Sequence, residues 1–115
     1  MTVIFAAQAR EIHADNVKAG WFTDIDTGAS IVATRNRPEM LMLAVTELSE
    51  AAEGRDGRPD DKLPDHPMYN VELADFAIRV LDLIGCEVSC GHEMPSFKAP
   101  GLLRDMHMGD DQLMV

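Results

Sequence analysis

Apolar positions in this chain recur at helical spacing, and three runs carry the pattern over several turns. In the first, from about Val3 to Ala19, the residues Phe5, Ala9, Ile12 and Val17 are expected to point inward, and Gly20 supplies a stop. The second runs from Arg37 to Glu53. Asn36 and Glu39 stand at capping-box spacing at its start, and Pro38 occupies its first turn. The third covers 66–84, with Gly85 as its expected end. Residues 21–36 read as a long connector, with Ala29–Ala33 either adding to the first helix or packing over the core, and GRDGRPDDKLPD (54–65), with two Gly and two Pro, reads as a loop. Pro95, Pro100, Gly101 and Gly109 break up the tail from Glu87, which is expected to be irregular. Period-two alternation is absent over any useful length. The pattern therefore predicts an all-α fold: a compact helical bundle forming one domain over residues 1–115.

Helical wheels expose an anomaly. On the third helix Leu73, Phe76, Ala77, Val80, Leu83 and Ile84 form one broad face, while Val71, Ala74, Ile78 and Leu81 cover the opposite side. A helix this apolar is expected to be buried. Its polar stripe, Glu72, Asp75, Arg79 and Asp82, spans only about 80° of arc and cannot be dismissed as a solvated face. On the second helix Leu41, Ala44, Val45, Leu48 and Ala52 are expected inward. Glu47 and Glu50 sit at the border one turn apart, where like charges repel. Antiparallel packing of the two helices sets Glu47 and Glu50 opposite Glu72 and Asp75.

Four carboxylates from two helices make an all-oxygen site. Such a site suits Mg²⁺, with Mn²⁺ able to substitute, better than Zn²⁺, which prefers His and Cys. Magnesium held by a few carboxylates keeps waters and takes substrate phosphates, so a phosphorylated small molecule is the natural guest. The competing reading is a non-enzymatic helical binding or regulatory module. In that case the acidic stripe pairs with Arg79, with nearby lysines or with a basic partner.

Composition narrows the classes. At 46% hydrophobic the chain is too apolar to be disordered, yet no apolar run reaches the roughly 18 residues of a membrane span. Two cysteines are too few for a disulfide framework, and the N-terminal residues carry no basic n-region, so a cytoplasmic location is expected. Twenty acids against ten Lys and Arg, a net charge of −10, disfavour nucleic acid as a partner. Half of the acids fall between Glu47 and Asp82, where Arg55, Arg58, Lys62 and Arg79 are the only Lys or Arg.

The run LMLAVTELSEAAEGRDG (41–57), followed by VELADFAIRVLDLIG (71–85), resembles the MazG-like all-α nucleoside triphosphate pyrophosphohydrolases. Their signature, E-x-x-E on one helix and E-x-x-D on the next, is matched by Glu47/Glu50 and Glu72/Asp75 with a 21-residue gap. KAGWFTD (18–24) and IRVLD (78–82) also look like one branch of that family, and the likeness covers roughly residues 15–85. It implies a homodimer or homotetramer that hydrolyses a (deoxy)nucleoside triphosphate between its α and β phosphates. It further implies Glu47, Glu50, Glu72 and Asp75 as metal ligands, with Glu47 or Glu50 accepting the proton of the attacking water. Family members in phages that replace adenine with 2-aminoadenine are similar in compactness and act on (d)GTP. A guanine nucleotide is therefore the expected substrate, and host cytoplasm the location if the chain is viral.

The remaining candidates carry weaker signals. Trp21, the only tryptophan, is a candidate to stack on a base, with loop anchoring as the plain alternative. Lys18, Lys62, Arg55 and Arg58 are candidates to hold the triphosphate. Arg79 is expected either to do the same or to pair with Asp75 or Asp82. Cys86, Cys90 and His92 lack a fourth ligand at finger spacing, so reduced thiols are expected instead of zinc. Asp24-x-Asp26-x-Gly28 resembles a calcium loop but has Arg35 where the closing Glu belongs.

Overall fold

A computed structural model describes residues 2–92, with side chains from Ala6 onward; the tail from residue 93 and the Phe5 side chain lie outside what is described. Among the described residues there are three α-helices and no strand: α1 (Thr2–Lys18), α2 (Arg37–Glu53) and α3 (Met68–Ser89). A short 3-10 turn, Gly54–Asp56, extends α2. The start of α2 is the one its motif predicts, because the Asn36 side chain accepts the Glu39 backbone N–H at 3.0 Å and Pro38 sits in the first turn. After α1, Gly20 adopts a left-handed φ of 91°, and the Trp21 N–H turns back to the Asn16 carbonyl at 3.1 Å.

Gly85 does not end the third helix. α3 continues to Ser89, and Gly91, with φ 92°, follows the cap at Cys90. The glycine instead marks a helix crossing. A Cβ placed on it would lie 2.4 Å from the Ala9 carbonyl oxygen and 2.6 Å from the His13 Cβ. Without that atom the backbone of α1 closes directly onto α3.

Residues 21–36 are more than a connector. They fold into a tight hairpin-like turn in which the Ile31 N–H donates to the Phe22 carbonyl at 2.8 Å and the Asp24 N–H donates to Ala29 at 2.7 Å. The Asp24 carboxylate accepts the Asp26 and Thr27 N–H groups, which leaves it committed to its own loop. Phe22 is 1% exposed and anchors the core with Met40 and Cys86, flanked by Val32 and Leu83. The Phe22 and His13 rings pack nearly perpendicular with their centres 4.7 Å apart, and the Arg35 guanidinium lies 4.8 Å over the Phe22 ring centre.

Helix faces depart from the wheel expectation. α2 buries Met40, Ala44, Glu47 and Ala51, whereas Leu41, Val45, Leu48 and Ala52 are exposed. On α3 the polar stripe turns inward, burying Glu72 and Asp82, while Leu73, Ala74, Ala77 and Ile78 remain exposed. Val17 of α1 also faces out. The cause is that each helix has more apolar arc than its neighbours cover, so the crossing geometry selects the arc that is turned in. No helix among the described residues is long and apolar enough to cross a membrane.

Gly85→Ala is expected to destabilise the chain. Alanine gains up to about 1 kcal/mol of helix propensity, but the new methyl meets α1 backbone that cannot rotate away. Overpacking of this kind costs about 1–3 kcal/mol. Urea denaturation measures the sum, and a more stable variant would contradict so close a crossing.

Candidate metal centre

The antiparallel α2 and α3 meet along their carboxylates. Oxygens of Glu47, Glu50 and Glu72 all lie within 4.8 Å of one another, and Glu47 and Glu72 are buried. Asp75, one turn beyond Glu72, lines the same cavity outside this cluster. Two unit charges 4 Å apart repel by roughly 4 kcal/mol at an effective dielectric constant of 20. One cation is bonded to the cluster: Arg79 donates from Nε to Glu47 Oε1 at 2.8 Å. That choice differs from the expected pairing with Asp75 or Asp82, because the guanidinium reaches across the helix interface instead of along its own helix.

Glu72 bears the remaining imbalance. It is 8% exposed, and its Oε2 is buried with no hydrogen-bond partner among the described residues. With all three carboxylates ionised, that oxygen faces acceptors only. A proton on Glu72 turns it into a donor toward Glu47 or Glu50. The Glu47 carboxyl, then burial, then Glu50 push the Glu72 pKa up to about 8. Burial alone would raise Glu47 too, but its hydrogen bonds to Glu72 and Arg79 outweigh that and hold it below the usual range. Burial, assisted by the Glu47 charge, raises Asp75.

The cluster opens into a cavity of about 930 Å³ between α2, α3 and two loops, within the size range of small-molecule sites. Trp21, 48% exposed, stands on its wall with Asn16. Lys62 lies on the same lining. Its loop is pinned because the buried Asp60 carboxylate accepts the Lys62 and Leu63 N–H groups at 3.0 and 2.9 Å. Lys18 is exposed on the last turn of α1 and does not line the cavity; on that turn it is Asn16 that reaches the wall. Arg58 is engaged by Asp56 at 2.7 Å, and Arg55 borders a separate depression beside Tyr69 and Asn70.

A buried pair at the edge of the cavity had no local signal in the sequence. His13 Nδ1 meets Asp82 Oδ1 at 3.0 Å, joining α1 to α3 next to the Gly85 crossing. Asp82 is visible as the last member of the polar stripe, but nothing in the α1 pattern marks His13 as its partner. Cys86 and Cys90 are free thiols; Cys86 is core, and burial pushes its thiol up to about 11. His92 bonds to Glu87, which also pairs with Arg37, so these residues are linked through one carboxylate at the end of α3.

The donor set fits a hard divalent cation. Its ligands are all oxygen, they converge, and one buried oxygen lacks a partner. No family model, curated protein or solved structure matches the chain.

The raised Glu72 pKa fixes a sign for stability. The folded state holds that proton to about pH 8, whereas the unfolded chain releases it near 4.5, so its stabilising contribution is full below 4.5 and is lost as pH rises to about 8. In EDTA, thermal melts are expected to show stability falling across this window, with a flatter profile for Glu72→Gln. An unchanged slope in that variant would refute the assignment.

Proposed function

We propose that the chain is a Mg²⁺-dependent (deoxy)nucleoside triphosphate pyrophosphohydrolase of the MazG-like type. It cleaves between the α and β phosphates to give nucleoside monophosphate and pyrophosphate, with a guanine nucleotide preferred. The observation that carries this reading is the under-compensated triad Glu47, Glu50 and Glu72, with its orphaned Glu72 oxygen, at the wall of a nucleotide-sized cavity. The same three residues belong to the E-x-x-E and E-x-x-D spacings, whose fourth acid, Asp75, lines the cavity outside the triad. Glu47, Glu50 and Glu72 would hold the metal, with Asp75 one turn away. A divalent ion held by these residues would supply charge neutralisation for the triphosphate, polarisation of the α-phosphoryl group and a more acidic water.

The chain's own groups do the rest. Glu47, held ionised, and Glu50 are the candidates to accept the water's proton. Lys62 and Arg79 supply positive charge on the cavity lining, and Trp21 offers a partly exposed ring face for the base.

The Arg79–Glu47 pair is what a purely structural acidic stripe would also contain. It engages one carboxylate of three, however, and a stripe built for stability has no use for a buried, unpartnered Glu72 oxygen.

Incubating the protein with each common NTP and dNTP, with Mg²⁺ and with EDTA, tests the reaction. Monophosphate plus pyrophosphate, lost in EDTA, is expected. Diphosphate plus phosphate would refute the α–β cleavage, and no turnover at all would favour the binding module. Glu50→Gln and Asp75→Asn should each lower kcat about 100-fold or more, the loss of roughly 3 kcal/mol of transition-state stabilisation. Both should keep the fold or gain stability, because they relieve repulsion.

The homo-oligomer implied by the resemblance has a suitable surface in Leu41, Val45 and Leu48, a charge-free stripe 41–52% exposed on α2. A second copy docked there would keep the acids of two chains, each of net charge −10, apart. Light scattering is expected to give a dimer or tetramer, and Leu48→Glu to reduce it to monomer.

A further inference from the structure

Arg79 makes two contacts that no other described side chain combines. Its Nε donates to Glu47 of the acidic triad, and its guanidinium carbon lies 5.7 Å from the centre of the Trp21 ring. The second distance is within the range of a cation–π contact. Trp21, for its part, has a fixed backbone. Its N–H is held by the Asn16 carbonyl at 3.1 Å, and its carbonyl accepts from Arg35, whose guanidinium also covers the buried Phe22. The indole is therefore free to respond at its ring while its anchor stays put.

We propose that Arg79 is a positioning residue that couples cation occupancy at Glu47 to the setting of Trp21, so that the metal centre and the aromatic wall are loaded together. The inference rests on the metal-site reading above and extends it from ligands to the order of assembly. A divalent ion and the guanidinium compete for the same carboxylate. When the ion takes Glu47, its charge weakens the hold on Arg79, and the guanidinium shifts relative to the indole it faces. Positive charge is thereby released into the cavity, where Lys62 already lies on the lining and where the phosphates of a triphosphate would need it. Glu50, Glu72, Asp75 and Asp82 line the same cavity, so an anionic guest competes with these acids for the freed guanidinium.

Because Trp21 is the only tryptophan, its fluorescence reads this link directly. Mg²⁺ serves as the probe, since it does not itself quench indole emission. Titration with Mg²⁺ alone is expected to produce a saturable change in Trp21 emission, with a midpoint equal to the Mg²⁺ Kd from calorimetry. In Arg79→Gln, calorimetric binding should persist or tighten, while the emission change is lost. Arg79→Lys keeps the charge but not the planar guanidinium, and should show a diminished change. It also serves if circular dichroism finds the glutamine variant unfolded.

An emission change that survives unaltered in the variants would overturn the coupling, as would Mg²⁺ binding with no emission change in the wild type. Absence of calorimetric Mg²⁺ binding in the wild type would instead overturn the metal-site reading, and the coupling with it.

Discussion

Three carboxylates, from Glu47, Glu50 and Glu72, are pressed together where α2 meets α3, and Arg79 bonds to only one of them. Ordinary folding energetics would separate these groups or replace them with apolar side chains, because buried like charges cost several kcal/mol. The chain keeps them together. In the absence of an ion the neighbouring carboxylates raise the Glu72 pKa toward a protonated form and the cross-helix guanidinium offsets Glu47, two partial remedies that a divalent cation would supersede. The inward turn of the acidic stripe and the exposed apolar arcs both follow from the helices meeting along their acids.

Holding such a cluster requires a scaffold that does not relax around it. α1 supplies part of this by crossing α3 at Gly85, where the two backbones approach with no side chain between them. The His13–Asp82 pair and the buried Phe22 ring against His13 lock that crossing from the side. On the opposite flank, the loop after α2 is closed by backbone bonds from Asp60 to His66 and from Met68 to Arg58, and by the Asp60 carboxylate. Local packing is thus concentrated around the acids, and the unfavourable charge is confined to that cluster.

Much of this was legible from side-chain type and spacing. Helical period, the Asn36 cap and the turn-forming Gly and Pro residues place three helices within a few residues of their observed bounds, because those signals act through neighbouring backbone groups. The Glu47/Glu50 and Glu72/Asp75 spacings likewise put each pair of acids on one side of its helix, and the oxygen-only chemistry follows from residue identity. The Gly85 boundary was misleading for an instructive reason. A glycine near the end of an apolar run signals a stop in isolation, but here its missing side chain serves a partner helix distant in sequence.

What the sequence determined by itself is therefore local: three helices, the acids on them and the Asn36 cap of α2. The tertiary structure decided which arc of α2 and α3 is buried and that Asp75 stands outside the closest triad. It also decided that Arg79 bonds to Glu47 and faces Trp21, that Lys18 lies off the cavity, and that His13 pairs with Asp82. Each of these depends on a distance between residues that are far apart along the chain or on different helices. Helical periodicity sets the angle of a side chain about its own axis, and only packing sets what stands opposite it.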